Sequence, residues 1–143
     1  MALRLIRDLI RGQDLLTCGP DATVAEGARQ MAERNVGAIL ITVAGRLEGI
    51  FTERDALVRV IAAGRDPRTT TIGETMTRAV TSISPDRPVL HALHEMHENN
   101  FRHVPVVEND RLVGVVSIRD ALADELITFE RELAVKQAIR EVR

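Results

Sequence analysis

Apolar residues recur along the first half of the chain at two different spacings, which predict a helix followed by a strand. Val24, Ala28 and Met31 fall on one face of a helix, and Thr23 precedes them as a capping residue. Residues 38–43 are almost wholly apolar and rich in β-branched side chains, as is typical of a strand buried on both faces. The pattern indicates the start of a mixed α/β unit.

A hairpin and a second helix complete this unit. Ala44 and Gly45 form a tight turn into an apolar segment at residues 47–51, so the two strands are expected to pair. A helix over residues 52–63 follows, and Gly64 closes it. With a short strand before the first helix, the order is β-α-β-β-α. A unit of about 60 residues buries too little apolar surface to be stable alone.

The same pattern returns 65 residues further along the chain without a gap. Identical residues mark the register, among them Val24 with Val89, Met31 with Met96, Asn35 with Asn100, Gly49 with Gly114 and Asp55 with Asp120. We therefore predict an α/β (α+β) fold of two β-α-β-β-α units packed with pseudo-twofold symmetry. The first unit, with an N-terminal helix, is expected to span residues 1–70, the second residues 71–127, and a helical extension residues 128–143. The seam between two such units leaves two related clefts, where small ligands tend to bind.

Composition and charge narrow the possible functions. The net charge is −2 and aromatic residues make up 2% of the chain, so we expect no surface for nucleic acid. Cys18 is the single cysteine, which excludes an intrachain disulfide or a thiolate metal cluster. Charges interrupt the apolar run at the N-terminus, and no apolar stretch is long enough to span a bilayer. These features predict a cytoplasmic protein without membrane contact.

The best-matched segments of the two units are GIFTERD at residues 49–55 and GVVSIRD at residues 114–120. In each, a strand ends, a hydroxyl residue starts a helix, and an aspartate follows three positions later. Helix capping alone explains such a pair. The functional alternative is that the helix start and the arginine of each segment bind an anion, while the aspartate accepts hydrogen bonds from a vicinal diol. An anion site beside a diol acceptor suggests a nucleotide.

These doubled segments resemble the cystathionine-β-synthase (CBS) domain family, and two units in tandem resemble a Bateman module. Two further segments support the resemblance: IGETMT at residues 72–77 and RHVPVVENDRLVGVVS at residues 102–117. The resemblance covers roughly residues 5–127, nearly the whole chain. Each motif is loose alone, but their order and their duplication are specific.

The resemblance implies that the clefts bind an adenosine-containing ligand such as AMP, ADP, ATP, S-adenosylmethionine or NAD(H). In one cleft, Asp120 would hold the ribose hydroxyls, with Ser117 and Arg119 near the phosphate. The base in that cleft would lie against the first unit, at Thr17, Val36, Gly37 and Ala38. The other cleft would use Asp55, Thr52 and Arg54, faced by Phe101, Arg102 and His103.

The two clefts are not expected to bind equally. The first unit has Gly37 and Ala38 where the second has Arg102 and His103. Many members of the family also have glycine at the position of Arg119, and this arginine either adds a phosphate contact or crowds the pocket. The sequence predicts one strong nucleotide site and one that is weaker or differently selective.

Two other groups of residues have competing interpretations. His91, His94 and His97 recur every third residue, but each step drifts about 60° around a helix, so we expect a solvated face and no metal site. Along the C-terminal helix runs an apolar stripe of Leu122, Leu126, Phe129 and Leu133. The stripe packs on its own module or forms a dimer contact, and we favour a homodimer, because an exposed stripe would be a liability on a monomer.

Together these features predict a regulatory module that senses energy or redox state through an adenine nucleotide. The module is expected to need no cofactor and to modulate a partner enzyme or transporter. One alternative is an interaction scaffold whose clefts are vestigial. Another is an enzyme, but we find no pair of general base and nucleophile and no repeated set of His and carboxylate residues. We therefore predict a protein without enzymatic activity.

Overall fold

The computed structural model describes residues 4–142, except for the side chains of residues 124–130 and 142. The first half contains α1 (Ile6–Leu9), β1 (Thr17–Cys18), α2 (Val24–Arg34), β2 (Ala38–Val43), β3 (Arg46–Thr52) and α3 (Glu53–Asp55). A π-helical turn at Ala56–Ile61 continues α3. The second half contains α4 (Ile72–Thr75), α5 (Val89–Asn99), β4 (His103–Glu108), β5 (Arg111–Ser117), α6 (Ile118–Ala121) and α7 (Ala123–Val142). The elements recur in the same order, which confirms the mixed α/β fold of two repeats.

The sheet of each unit contains an equivalent hairpin, and the two sheets differ at one edge. In the first unit, β2 pairs with β3 in antiparallel fashion and with β1 in parallel fashion. In the second unit, β4 and β5 form the equivalent hairpin. A single parallel bridge between Ile83 and Val106 stands in the place of β1. The first strand that the sequence predicts in each unit is therefore two residues long in one unit and a lone bridge in the other.

The helix ends follow the local chemistry of the sequence. Thr23 and Glu26 form the capping box at the start of α2, with each side chain bonded to the other residue's backbone N–H. Asn35 and Asn100 end α2 and α5 with positive φ angles of 52° and 58°. Asparagine tolerates this left-handed conformation better than most residues. The same residue thus ends the corresponding helix in both units.

The short leading helices α1 and α4 are exchanged between the units. Ile6 of α1 is fully buried in the core of the second unit, and its N–H donates to Arg87 O over 2.9 Å. Ile72 of α4 is fully buried in the core of the first unit, and its N–H donates to Ala22 O over 2.8 Å. The sequence-based boundary assigns residues 1–70 to the first unit, whereas their leading helix completes the second. Each unit therefore contributes part of the other's core.

A third apolar cluster joins the two hairpins at the seam. Ala38, Leu40 and Ile50 are buried there, and Leu112 and Val115 of the second unit pack against them. Burial of apolar surface is the dominant favourable term in folding and association. The seam is therefore a shared core, and the walls of the clefts are built on it.

The helix expected over residues 52–63 differs from a regular α-helix. Its first turn is α-helical, but the N–H of Ala62 donates to Leu57 O over 2.8 Å and that of Arg65 to Val60 O over 2.9 Å. Both bonds span five residues, which is the wider spacing of a π-helix. The prediction of a helix is confirmed here, and its second half has π-helical bonding.

The C-terminal helix α7 runs on beyond the repeats. Leu133 is 44% exposed, and Leu122 at its start is half-buried. Leu126 and Phe129 of the predicted apolar stripe lie outside the residues whose side chains are described. Within the described part of the chain, no helix is both long enough and apolar enough to cross a membrane.

Candidate functional site

Both strand-to-helix turns are capped by their hydroxyl residue. Thr52 Oγ1 accepts a hydrogen bond from Asp55 N over 3.2 Å, and Ser117 Oγ accepts one from Asp120 N over 3.1 Å. The capping interpretation is therefore confirmed in both units. It leaves open what the two carboxylates do, and there the turns differ.

Asp55 is held by its surroundings. The residue is 7% exposed, and its Oδ2 accepts from Thr52 N over 2.9 Å and from Thr52 Oγ1 over 3.2 Å. Its Oδ1 accepts from Thr77 Oγ1 over 3.2 Å and lies 3.6 Å from Arg59 Nε. Both carboxylate oxygens are thus engaged within the protein. A ligand diol would have to compete with Thr77 and Arg59 for Asp55.

Asp120 is open. It is exposed, and no reciprocal bond from its carboxylate to the Ser117 backbone completes a capping box. Among the described residues, its side chain has no hydrogen-bond or ion-pair partner. Its two oxygens are available to a ligand, which is the condition that the diol interpretation requires.

A cavity of about 790 Å³ lies beside Asp120 and draws on both units. The first unit supplies residues 13–16 before β1, one face of α2 and residues 35–38. The second unit supplies the start of β4 and residues 117–120. Six of the residues predicted for this cleft line the cavity: Val36, Gly37, Ala38, Ser117, Arg119 and Asp120. The lining stops at Leu16, so Thr17 does not contribute to it.

A second cavity, of about 1210 Å³, occupies the pseudo-symmetric position. It contains all six residues predicted for the other cleft, namely Thr52, Arg54, Asp55, Phe101, Arg102 and His103. Leu93, Met96 and His97 of α5 line it at the positions where Ala28, Met31 and Ala32 of α2 line the first. We call the cavity beside Asp120 cavity 1 and the cavity beside Asp55 cavity 2.

The two cavities meet at a shared wall. Five residues line both of them: Gly37, Glu53, Arg102, His103 and Ile118. The sequence analysis places Arg102 and His103 in cavity 2 alone, and in the structure both also line cavity 1. The second unit has Arg102 and His103 where the first has Gly37 and Ala38, but this difference does not place the basic pair in one cavity only.

Gly37 lies against the side chain of Glu53 in this wall. A Cβ on this residue would overlap Oε1 of Glu53 and approach His103 Cε1 to 3.4 Å. Any larger residue would therefore have to displace the Glu53 carboxylate. The position that holds an arginine in the second unit thus has no side chain in the first.

Three arginines bring positive charge to the cavities, beside the carboxylates that also line them. Arg54, Arg102 and Arg119 are exposed, and within the described part of the chain none has a hydrogen-bond or ion-pair partner. Burial lowers the pKa of His103, while the nearby carboxylates of Glu53 and Asp120 act in the opposite direction. His103 is therefore mainly neutral at neutral pH, and the arginines carry the positive charge.

Gln13 is a feature of cavity 1 that the sequence analysis missed. Its side-chain amide donates to Val115 O and accepts from Val115 N, both over 2.9 Å. At the equivalent place in the first unit, the backbone of Thr77 makes both bonds to Ile50. The side chain thus takes the place of this isolated backbone bridge at the edge of β5 and fixes the segment at residues 13–16. The 65-residue repeat in the sequence pairs Ile50 with Val115. It does not reveal that a side chain bonds to Val115 where backbone groups bond to Ile50.

The other candidate residues have ordinary surroundings. His91 Nε2 lies 3.7 Å from Glu95 Oε1, and burial raises the pKa of the Cys18 thiol. Among the described residues, no three His, Cys, Asp or Glu side chains are grouped as metal ligands would be. Of the histidine trio, His97 lines cavity 2.

Comparison with known proteins supplies the family. A model described as the CBS domain matches residues 6–62 and again residues 72–126. The chain belongs to the CBS domain family. Two CBS repeats in one chain make a CBS domain pair, and such pairs are regulatory modules. The resemblance that the sequence motifs suggest is thereby confirmed.

Two curated relatives show how this CBS pair occurs elsewhere. The chain is 37% identical over 123 residues to the mitochondrial CBS domain-containing protein CBSX3 of Arabidopsis thaliana. The aligned region covers 82% of this chain and 60% of CBSX3. The chain is 32% identical over 121 residues to the CBS domain-containing protein YhcV of Bacillus subtilis, with 85% of each covered. The chain spans 60% or less of the length of the first five curated relatives that it matches.

Solved structures of CBS proteins share the fold closely. The CBS domain protein NE2398 matches with a TM-score of 0.81 at 28% identity, covering 87% of this chain and 99% of that one. PAE2072 from Pyrobaculum aerophilum, solved with AMP, matches with 0.75 at 29% identity, covering 87% and 98%. The CBS pair of MJ0100, solved with 5′-methylthioadenosine and S-adenosyl-L-methionine, matches with 0.75 at 28%, covering 90% and 99%. The last two of these structures contain adenosine compounds.

Proposed function

We propose that this CBS pair is a regulatory module that binds an adenosine-containing ligand in cavity 1. The observation that carries the proposal is the open carboxylate of Asp120 at the start of a helix, in one cavity with the unpartnered Arg119 and Arg102. Two structural neighbours were solved with adenosine compounds, which supports the ligand class.

The polar end of cavity 1 matches a ribose followed by a phosphate. A carboxylate with both oxygens available can accept two hydrogen bonds from a vicinal diol, and bonds to a charged acceptor are stronger than neutral ones. Arg119 is the residue before Asp120, and Arg102 lies on the shared wall. Guanidinium groups bind phosphate through paired N–H donors. The proposed role of Arg119 is therefore a phosphate contact.

The apolar end of cavity 1 suits a flat base. Leu16 and Met31 are buried there, and Ala28 and Ala32 leave room above them. Residues 36–38 close the same side with small or apolar side chains. Hydrophobic walls with a few placed polar groups are typical of small-molecule sites. We place the adenine against this surface, with the backbone of residues 13–16 at its rim.

Cavity 2 is proposed as the weaker site. Its carboxylate, that of Asp55, already has four contacts with three residues of the protein, and a ligand gains only the difference between old and new bonds. Its volume is larger, about 1210 Å³, so a single nucleoside would fill it less completely. Arg54 remains available there as an anion contact.

A melting screen tests the proposed ligand class. Full-length protein is heated with AMP, ADP, ATP, NAD(H) or S-adenosylmethionine over a range of concentrations. A ligand that binds the folded state raises the midpoint as its concentration rises, and we expect this for at least one of the five. Uridine monophosphate is the control, since it shares the ribose and phosphate but lacks the purine. No shift with any adenosine compound would contradict the proposal.

The wider biological role follows from the ligand. We propose that ligand binding changes the angle between the two units and thereby modulates a partner enzyme or transporter, according to energy or redox state. Such a change requires different ligand affinities in two conformations. We further propose a cytoplasmic homodimer without enzymatic activity, with Leu133 on α7 as part of the contact.

An interaction scaffold with vestigial clefts is the competing function. The bonding of the Asp55 carboxylate to Thr52 and Thr77 favours that interpretation for cavity 2. The open Asp120 and its two unpartnered arginines oppose it for cavity 1. The melting screen separates the two functions, because a scaffold would show no ligand-dependent shift.

A further inference from the structure

The shared wall gives the two cavities a common set of contacts. The N–H of Glu53 donates to Gly37 O over 3.1 Å, and the N–H of Ile118 donates to Arg102 O over 2.9 Å. These equivalent bonds tie the start of each helix to the residue before the corresponding strand. All four residues line both cavities, so the wall separates two neighbouring sites with a single layer of side chains.

The positive charge of this wall is not duplicated. Arg119 lines cavity 1 only and Arg54 lines cavity 2 only, whereas Arg102 lines both. Arg59 also lines cavity 2, but it is occupied by Asp55 and by the carbonyl oxygens of Thr75 and Met76. Among the described residues, each cavity thus has one unpartnered arginine of its own and shares the other.

Glu53 adds a negative charge to the same wall. It is exposed, it lies beside His103 closely enough to act on its charge, and its carboxylate has no partner among the described residues. A phosphate in either cavity therefore needs Arg102 to offset Glu53. When Arg102 binds a phosphate in one cavity, the other cavity has only its own arginine. That single arginine must then offset both the Glu53 carboxylate and the phosphate already bound next door.

We propose that the two cavities are negatively coupled, so that a phosphate-bearing ligand in one weakens the binding of a phosphate-bearing ligand in the other through Arg102. This inference rests on the proposed function, because it assumes that the ligands are nucleotides. It adds that the occupancy of one site regulates the other. Repulsion between two dianions across one side-chain layer, together with competition for one guanidinium, weakens the second site about tenfold. A ligand without phosphate is not subject to the coupling.

The experiment compares AMP with adenosine by isothermal titration. In the wild-type protein, AMP is expected to bind in two steps, first in cavity 1 and then in cavity 2. The affinity of the second step should be about tenfold weaker than the affinity of cavity 2 for AMP when cavity 1 cannot bind it. That reference value comes from two variants that disable cavity 1 differently: Asp120→Ala, and Ala32→Phe, which fills the cavity without changing its charge. Agreement between the two variants separates coupling from a change in local charge.

The controls assign the coupling to charge and to Arg102. Adenosine should bind cavity 2 with the same affinity in wild type and in Ala32→Phe. In Arg102→Gln, both cavities should lose affinity for AMP, and filling cavity 1 should then change the affinity of cavity 2 by a smaller factor. Arg29→Gln on the exposed surface of α2 is the matched control and should leave both steps unchanged.

Two outcomes overturn the coupling and leave the proposed function intact. One is an AMP affinity of cavity 2 that is the same with cavity 1 filled or blocked. The other is AMP binding in cavity 1 with none in cavity 2 of the Ala32→Phe variant. If neither AMP nor adenosine binds any variant or the wild type, the coupling fails, and the melting screen with the other adenosine compounds decides the proposed function separately.

Discussion

The two strand-to-helix turns have nearly the same sequence and opposite chemistry. In the first unit, Asp55 is buried and bonded to Thr52, Thr77 and Arg59. In the second unit, Asp120 is exposed and, within the described part of the chain, has no side-chain partner. The same capped turn thus serves as a structural clamp in one unit and as an open acceptor in the other. The comparison teaches that the residues facing a motif decide its role.

The largest expected effect comes from removing the two aspartates in turn. Asp55→Ala should lower the free energy of unfolding by about 3 kcal/mol, because it deprives the Thr52 N–H, the Thr77 hydroxyl and Arg59 of their acceptor in a buried place. Asp120→Ala should leave the unfolding midpoint unchanged, since surface substitutions rarely matter. Chemical denaturation of both variants measures this, and equal losses would contradict the comparison.

A smaller effect is expected at the edge of cavity 1. Gln13→Ala should cost about 2 kcal/mol of stability, since two hydrogen bonds to the half-buried Val115 backbone are lost. It should also weaken AMP binding, because residues 13–16 lose their anchor. Gln30→Ala on the exposed face of α2 is the control for the residue type. Denaturation and titration of both variants check this, and similar results for the two would show that Gln13 does not position the cavity wall.

The two capping residues should differ by about 1 kcal/mol. Ser117→Ala removes one cap bond, which is worth about 1 kcal/mol. Thr52→Ala removes the same bond and also the one from its hydroxyl to Asp55 Oδ2, so its cost should be about 2 kcal/mol. Thermal unfolding of the two variants provides the measurement. A larger loss for Ser117→Ala would reverse the assignment of clamp and open turn.

The smallest effect concerns His103, which both cavities share. Burial lowers its pKa below the ordinary value of 6.5, so the unfolded chain takes up a proton before the folded one does. Stability should therefore be complete above about pH 6.5 and decline as the pH falls below it. His103→Gln should decline less over the same range. Unfolding midpoints from pH 8 to pH 5 compare the two proteins, and parallel curves would contradict the burial of this side chain.

Much of the fold could be predicted because the information is local. The spacing of Val24, Ala28 and Met31, the cap at Thr23 and the apolar run at residues 38–43 each act over a few residues. Because the sequence repeats after 65 residues, each helix or strand predicted in the first unit is also predicted at the equivalent place in the second. Asn35 and Asn100, which end equivalent helices, show how closely the two halves repeat.

The remainder depends on contacts between residues that are distant in the chain. Three features arise from such packing: the exchange of α1 and α4 between the units, the Gln13 side chain in place of a backbone bridge, and the shared wall. The bonding of Asp55 is an intermediate case. The register pairs Thr77 with Gly12 and Arg59 with Asp124, so the sequence already shows that Asp120 lacks the two partners that hold Asp55. Only the structure shows that those partners reach the carboxylate.

The most direct test of the account is the affinity of AMP for Asp120→Ala beside Asp14→Ala, measured by isothermal titration. Both variants remove one exposed carboxylate from the lining of cavity 1, but only Asp120 stands at the helix start. We predict a loss of about 10- to 100-fold for Asp120→Ala, from hydrogen bonds to a charged acceptor. Asp14→Ala should change the affinity by about twofold or less. An unchanged affinity in Asp120→Ala, or equal losses in both, would contradict the role of Asp120 as the ribose acceptor.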